Sequence, residues 1–427
     1  MSERLRVADI LDNNIRSTGG TEKSTHNLLQ FKSLEGLLIT PYPVPQLPYR
    51  AYSNEKMIQI PFTRQHIPAP RELEKTIDHL NEFDPRIILL NTPTLYTATI
   101  YWALPQELKD RCVALWRLII DAPLYESRHD SLNHLVHAYI QRPGIRKLQV
   151  AIANSVPLNI AISKSVATSL HRNGVKQPIT VVPTQVGRDF SAEKRFNNGP
   201  DFREKFLSPD QLGILTVGRI APEKGLEWVT ELYSELQQLF PTPLENDSFS
   251  RVKITVAGGA KPQHERFFHS LLNRTNGRTN TNNAVELHWI GDQSHTQLED
   301  LYNAYDICFM PSPDEPFGRV PVEAMSAGST VIGRNGSQST REILSEPYYP
   351  IGILVESPYE AAQQILSLMH FPDKLAQLQT NALYWARSHF TLETAEQLLI
   401  AALEPVLRNT SADSAPNSAP ETVPSLT

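Results

Sequence analysis

Short, almost uninterrupted apolar runs recur along this chain, each followed by a longer segment whose apolar residues fall at helical spacing. In the first half they read LRVADIL (Leu5–Leu11), RIILLN (Arg86–Asn91), VALWRLII (Val113–Ile120) and LNIAIS (Leu158–Ser163). In the second half LGILTVG, RVKITVAGG, VELHWIG, DICFMPS and STVIGRN repeat the pattern. A strand covered by helices on both faces has no polar side to show, so it reads as a continuous apolar run. Intervening stretches such as Gly225–Phe240 (GLEWVTELYSELQQLF) carry the helical period. Strand alternating with helix predicts an α/β chain built on two doubly wound, Rossmann-like parallel sheets. The two halves are not an internal sequence repeat.

With 427 residues the chain exceeds one ordinary core, so two domains are expected. The sequence divides into a first domain over residues 1–190, a polar linker over 191–204 and a second domain over 205–385. A C-terminal helix over 386–408 is expected to pack back towards the first domain. It contains TLETAEQLLIAALEPVL, opened by a Thr cap with Glu393 early in it. Residues 409–427, rich in Ser, Ala, Pro and Thr, are expected to be a disordered tail, and Asn273–Ala284 a polar loop.

Composition excludes several classes. Hydrophobic residues make up 40% and charged residues 20%, and no apolar run reaches the ~20 residues that span a bilayer. The opening MSERLRVADI has no long apolar stretch of the signal-peptide kind. The two cysteines, Cys112 and Cys308, are far apart and without metal-ligand spacing, which suits a reducing compartment. A cytoplasmic protein is the expectation. Residues 1–200 hold 24 Lys and Arg against 18 Asp and Glu, whereas residues 201–427 hold 16 against 28. That asymmetry suits an anionic partner near the first half or ordinary surface variation. No basic stripe points to nucleic acid.

Ligands of open parallel sheets bind outside the carboxyl ends of the strands, so the strand-to-helix turns matter most. The first is Ser17–Leu29 (STGGTEKSTHNLL), where Gly19 and Gly20 permit a tight turn ahead of a helix. Such a helix start attracts phosphate or hydroxyl groups, although a Gly-Gly pair alone is equally a plain loop. The three-glycine dinucleotide fingerprint is missing, which argues against an oxidoreductase. The second is Leu215–Val229 (LTVGRIAPEKGLEWV): Gly218, then Arg219 and Lys224 five residues apart. Two such cations can grip a diphosphate, Arg219 through a planar fork and Lys224 as a mobile charge. Taken alone they read as solvated surface cations, and the P-loop pattern is absent.

The third is EPFGRVPVEAMSAG (Glu315–Gly328). Glu315 falls in the loop after DICFMPS, and Gly318, Arg319 and Val320 offer amides at a helix start that Pro321 suits. Glu323 is expected in that helix's first turn. Two carboxylates flanking such a turn can accept hydroxyls on either side of a phosphate group. The plain alternative is a dipole-favouring Glu323 and a solvated Glu315.

Glu-Pro-Phe-Gly with a second Glu eight positions after the first, followed by AMSAGSTVIG, resembles the retaining GT-B glycosyltransferases of glycosyltransferase family 4. VGRIAPEKG is similar to that family's phosphate-binding turn and GGTE (Gly19–Glu22) to its N-terminal Gly-Gly-x-Glu. Ile160–Val175 (IAISKSVATSLHRNGV) agrees as well. The likeness spans nearly the whole chain except the tail and is most specific in the second domain.

The resemblance implies a GT-B architecture, two Rossmann-like domains facing a cleft. The activity it implies is transfer of a hexose from a nucleoside-diphosphate sugar, UDP by family habit, to a hydroxyl acceptor with retention. Glu315 would then bind the donor sugar's hydroxyls, aided by the amides of Phe317 and Gly318. Arg219 and Lys224 would neutralise the leaving diphosphate beside Gly218, and Glu323 would bind the ribose. The amides of Arg319 and Val320 would contact phosphate, and Gly20 would approach donor and acceptor from the first domain. No metal and no cofactor are implied.

Two departures stand out. Family members often carry a His after the strand that here reads ALWRLIIDAPLYE, and Asp121 is taken to fill the place as a catalytic residue. The usual Asn-Gly-Val-Asp after VVP is replaced by TQVGRD (Thr184–Asp189). These changes keep open a non-catalytic nucleotide-sugar-binding relative or partner subunit. A sugar-nucleotide epimerase or hydrolase is a third reading. His134 and His137, three apart on an expected helix, are compatible with a metal but read as surface. Tyr139–Val150 (YIQRPGIRKLQV) is read as a solvated loop, with peripheral contact to anionic lipid as its alternative.

Overall fold

The first-half runs become central strands of one parallel sheet. Its strands are β1 (Leu5–Leu11), β2 (Leu34–Thr40), β3 (Lys56–Gln59), β4 (Ile87–Asn91), β5 (Cys112–Trp116), β6 (Leu158–Ala161) and β7 (Ile179–Val181). They lie in the order β3-β2-β1-β4-β5-β6-β7. The second-half runs become β8 (Gln211–Val217), β9 (Arg251–Ala257), β10 (Val285–Trp289), β11 (Ile307–Met310) and β12 (Thr330–Arg334). With β13 (Gly352–Val355) they form a second parallel sheet in the order β10-β9-β8-β11-β12-β13. The computed structural model describes residues 4–12, 31–41, 56–61, 67–121, 142–184, 190–197, 199–239, 248–276, 284–345 and 348–412.

Burial explains why these strands read as they do. Every residue of β4, β5, β6 and β11 is buried, because helices cover both faces. Strands at the sheet margins are only half-buried, as in β7 and β10. The expected strand VALWRLII ends earlier than its apolar run, at Trp116, and LNIAIS ends at Ala161 because Ser163 caps the next helix.

The first domain's helices are α1 (Pro70–Phe83), α2 (Leu95–Ala103), α3 (Gln106–Lys109), α4 (Arg142–Ser155) and α5 (Lys164–Arg172). Most of the segment Tyr139–Val150, expected as a loop, is thus the first part of α4. Its Gln149 is buried and donates to the carbonyl of Pro93 at 3.0 Å. The second domain carries α8 (Glu227–Leu239), α9 (Glu265–Asn276), α10 (His295–Ala304), α11 (Arg319–Ser326), α12 (Gln338–Leu344), α13 (Pro358–His370) and α14 (Pro372–His389). Among the described residues no helix is long and apolar enough to cross a membrane.

The polar segment between the domains is not an extended connection. It folds into α6 (Glu193–Asn197) and α7 (Gly199–Arg203), which pack on α10. Arg195 fixes it there: Nε donates to the carbonyl of Asn303 at 2.9 Å and Nη1 to that of Gly328 at 2.6 Å, while Nη2 reaches the carbonyl of Tyr305. Lys194 adds ion pairs to Glu299 at 2.8 Å and Asp300 at 2.7 Å.

The chain's end also differs from the expected boundaries. Residues 386–389 finish α14, and a new helix, α15, runs from Leu392 to Ala412 after a break at Phe390 and Thr391. Thr391 accepts from the amide of Thr394 at 3.1 Å, as its capping role requires. Residues 409–412, assigned from sequence to the tail, continue the helix. α15 lies against the first domain: Glu396 accepts from the amide of Ser33 at 2.7 Å, and Arg86 donates to the carbonyl of Leu407 at 3.4 Å. One apolar cluster therefore runs from the first sheet through Leu399 and Phe390 to Phe317 and Val322, and a second fills the other side of the second sheet.

Arg195→Ala removes the donors of three carbonyls at once. The Tyr305 carbonyl keeps the Ser329 hydroxyl as donor at 2.7 Å, but those of Asn303 and Gly328 lose the Arg195 donor. The variant is expected to lower the unfolding free energy by about 3 kcal/mol, since each acceptor left without a partner costs on the order of 1–3 kcal/mol. Urea denaturation of the purified variant measures this, and a loss within about 0.5 kcal/mol, the usual range for surface changes, contradicts it.

Candidate donor site at the second sheet's switch point

Strand order reverses between β1 and β4 in the first sheet and between β8 and β11 in the second. At such a point the helices after the two strands go to opposite faces and leave a crevice. The loops that line the second crevice carry Arg219, Lys224 and Glu315.

After β8 the chain passes Gly218 and Arg219, makes a 3-10 turn over Pro222–Lys224 and enters Gly225 in the left-handed region at φ +62°. A Cβ at Gly225 would lie 2.6 Å from the carbonyl oxygen of Pro311, in the loop after β11. Glycine thus lets the two loops approach closely. Across that approach Lys224 Nζ meets Glu315 Oε1 at 2.5 Å, with the side chains 24% and 12% exposed. Arg219 extends outward, 57% exposed, with only a 3.5 Å contact to Glu223.

The Glu315 loop ends at Gly318, which caps α11 at φ +87°. The helix starts at Arg319 rather than at Pro321, so Glu323 is its fifth residue and lies beyond the first turn. This corrects the sequence expectation: positive φ at Gly318 turns the chain into the helix two residues ahead of the proline. Glu323 is 4% exposed. Its Oε1 pairs with Arg319 at 3.2 Å and its Oε2 accepts from the Tyr302 hydroxyl at 3.1 Å. Burial, with the Glu323 charge second, pushes the Tyr302 hydroxyl far above its usual range. Phe317 turns its ring inward against Phe390, centroids 5.8 Å apart, and Val320 packs on the same apolar cluster. From Phe317 to Val320 it is therefore backbone that the loop offers.

Asp121 stands elsewhere. Its Oδ1 accepts from the Ser169 hydroxyl at 2.5 Å and its Oδ2 lies 3.4 Å from Arg172, so it ties the segment after β5 to α5. The residue that directly follows β5 is Arg117, whose Nε donates to Asn91 Oδ1 at 2.9 Å. Asn91 in turn donates to Asp9 Oδ2 at 3.3 Å. Asp9, Asn91 and Arg117 are all buried, and they cross three neighbouring strands at the first sheet's own switch point. Among the described residues Asp9 Oδ1 has no hydrogen-bond partner. Thr92, the next residue after Asn91, holds φ +50°, which is uncommon for a β-branched side chain. Sequence reading missed this group. Its signal was a lone Asp inside LRVADIL and a terminal Asn on RIILLN, polar residues in runs otherwise built for burial.

Gly20, His134, His137 and residues 185–189 of TQVGRD lie outside the described residues. Among the described residues no cluster of three or more His, Cys, Asp or Glu is placed to hold a metal ion.

Burial raises the Asp9 carboxyl to about 6, against the Arg117 charge and the Asn91 hydrogen bond, which lower it. The unfolded chain keeps the usual value near 3.8. Between these values the folded state binds the extra proton, so stability is full below the lower value and falls as pH rises to the upper. At neutral pH the loss from this one group is on the order of 3 kcal/mol. Asp9→Asn should remove that slope: the stability difference between variant and wild type, measured by urea at pH 4 and pH 7.5, shifts towards the variant at the higher pH. Equal differences at both pH values would contradict it.

Residues 199–385 match the family model described as Glycosyl transferases group 1. D-inositol 3-phosphate glycosyltransferase 2 of Catenulispora acidiphila is 31% identical over 185 residues, 41% of this chain and 39% of that protein. Mannosylfructose-phosphate synthase of Agrobacterium fabrum is 24% identical over 201 residues, 45% of this chain and 40% of that protein. The matched segments thus span about two fifths of these curated relatives. Among solved structures, Anabaena Alr3699/HepE in complex with UDP and glucose aligns with a TM-score of 0.69 at 18% identity, covering 94% of this chain and 100% of that one. Sucrose-phosphate synthase from Thermosynechococcus elongatus aligns with a TM-score of 0.69 at 18% identity, covering 96% and 100%. The chain therefore has the two-domain GT-B fold, and its residues 199–385 match the glycosyl transferases group 1 model.

Proposed function

We propose that this chain transfers a hexose from a nucleoside-diphosphate sugar to a hydroxyl acceptor with retention at the anomeric carbon. The observation that carries the reading is the Lys224–Glu315 pair at 2.5 Å, set on two loops that meet at the second sheet's switch point. A bound donor gives each member of that pair a new partner. Its diphosphate draws Lys224 and the exposed Arg219, and its sugar hydroxyls donate to the Glu315 carboxylate. The backbone of Phe317–Val320 faces the phosphates at the start of α11.

In this mechanism the bond from the anomeric carbon to the diphosphate oxygen breaks as the two cations take up the developing charge. The acceptor oxygen bonds to the same face, and its proton passes to the departing diphosphate oxygen. No separate general base is needed. Catalysis rests on leaving-group stabilisation and positioning. The cations do the charge neutralisation otherwise assigned to a metal ion, so the reaction is expected to run without one. The acceptor is assigned to the first domain's side of the cleft, with Gly20 contributing there and Asp121 acting through its hold on α5. UDP is the first donor nucleotide to test, because the Anabaena protein of like fold was crystallised with UDP and glucose.

The test begins with melting curves in UDP-, GDP- and ADP-sugars and their free diphosphates. A ligand at a hundred times its dissociation constant adds about 2.7 kcal/mol of stability, so one nucleotide series should raise the melting temperature. Lys224→Ala should abolish that rise. In an acceptor screen Lys224→Ala and Glu315→Ala should each cut transfer about 100-fold or more, and the product should keep the donor's anomeric configuration by NMR. Donor binding without turnover on any acceptor would instead favour a nucleotide-sugar-binding partner subunit. No shift with any nucleotide refutes the donor site.

A further inference from the structure

The first domain touches the donor loop directly. Ser163 follows β6 at the carboxyl edge of the first sheet and is completely buried. Its hydroxyl oxygen accepts from the amide of Val166 at 3.1 Å, capping α5, and the same hydroxyl donates to the carbonyl of Pro316 in the second domain. Pro316 is the residue between Glu315 and Phe317. One side chain therefore ends a helix of one domain and holds the backbone of the other domain's sugar-side loop.

A second contact lies beside it. Glu342, on α12 of the second domain, accepts from the amide of Lys164 at 2.8 Å and 3.1 Å through its two oxygens. The first amides of a helix have no partner within it, and here a carboxylate from the opposite domain supplies one. The helix dipole favours that charge. Gln338 of α12 adds a 3.4 Å contact to Thr168. The contacts to the loop and to α12 both need the two domains to be closed against each other.

We infer that Ser163 is a positioning residue that fixes the Glu315 loop only when the domains close, with Glu342 on the start of α5 as the latch that holds the closure. This rests on the proposed function for what the loop binds, but the latch itself does not. In the open state Ser163 keeps its cap on Val166 and Pro316 loses its donor, so the sugar-side loop is released while the diphosphate-binding turn around Lys224 is unaffected. Closure and the geometry of the sugar site are then one event. A donor enters an open cleft, and its sugar meets an ordered Glu315 after closing.

The test has two arms. In the first, spin labels at Glu107→Cys in one domain and Gln363→Cys in the other report the interdomain distance by pulsed EPR, without any ligand. Glu342→Ala should broaden the distribution and shift it to longer distances, and Ser163→Ala should do so to a smaller extent. Distributions like that of the doubly labelled parent in both variants overturn the latch. In the second arm, calorimetry compares UDP-glucose with UDP. Ser163→Ala should weaken UDP-glucose about tenfold and UDP less than twofold, whereas Ser163→Thr, which keeps a capping and donating hydroxyl, restores the parent ratio. Equal weakening of both ligands, or no rescue by Thr, reduces Ser163 to a helix cap and overturns its positioning role. If the parent protein binds neither nucleotide, the functional reading fails while the distance arm still decides the latch.

Discussion

The loops after β8 and β11 can touch only because Gly225 has no side chain where the Pro311 carbonyl passes. A Cβ there would stand 2.6 Å from that oxygen, closer than Cβ atoms come to their neighbours. That backbone approach brings Lys224 to Glu315. The ion pair is mostly shielded, and desolvating two charges costs several kcal/mol that their attraction repays only in good geometry. A contact of this kind adds little to stability. It is better understood as two charges kept in place near a crevice, where Lys224 can exchange its neighbour for another anion and Glu315 can exchange its neighbour for other hydrogen-bond donors. Arg219 has no comparable restraint and stays in solvent, where a long side chain can sweep towards an anion.

The same economy governs the first sheet. Asp9, Asn91 and Arg117 place a buried acid, amide and guanidinium at its switch point, in runs that are otherwise mainly apolar. Burial penalises the Asp9 carboxylate enough to raise its titration to about 6, and one of its oxygens has no partner among the described residues. Both sheets thus keep costly polar groups where their topology opens a crevice. A core selected for stability alone would fill these positions with Val or Ile.

Much of this was legible in the sequence, for physical reasons that also mark where reading stops. Strands covered on both faces have no choice of residue, so LRVADIL, RIILLN and LGILTVG announce themselves. β3, β7 and β13 are short or lie at sheet margins, and their mixed composition carries no period to find. Arg219, Lys224 and Glu315 stood out because charge on a strand-to-helix turn is a local pattern. The contacts of Glu323 with Tyr302, and of Arg195 with three carbonyls, join residues distant in the chain, and no local pattern encodes them. The reading of Asp121 failed to see Arg117 for a related reason: the apolar run VALWRLII continues past the true strand end, and only pairing with β4 and β6 shows that the strand stops at Trp116.

The two domains are tied in two chemically different ways. Behind the cleft, α15 crosses back onto the first sheet, and its contacts are mainly apolar, with Leu399 and Leu403 in the same cluster as Phe390 and Phe317. Separating that tie exposes hydrocarbon, which water does not compensate. At the cleft itself the ties are hydrogen bonds, from Ser163 to Pro316 and from the Lys164 amide to Glu342. Water can replace each of these bonds when they open, so their net contribution is about 0.5–1.5 kcal/mol apiece, or somewhat more where a charge takes part. The apolar contact is therefore the one that persists, and the polar contacts are the ones that exchange. In a chain built this way the contacts at Ser163 are the ones that can open while α15 holds, on the side where Lys224, Glu315 and Arg219 lie.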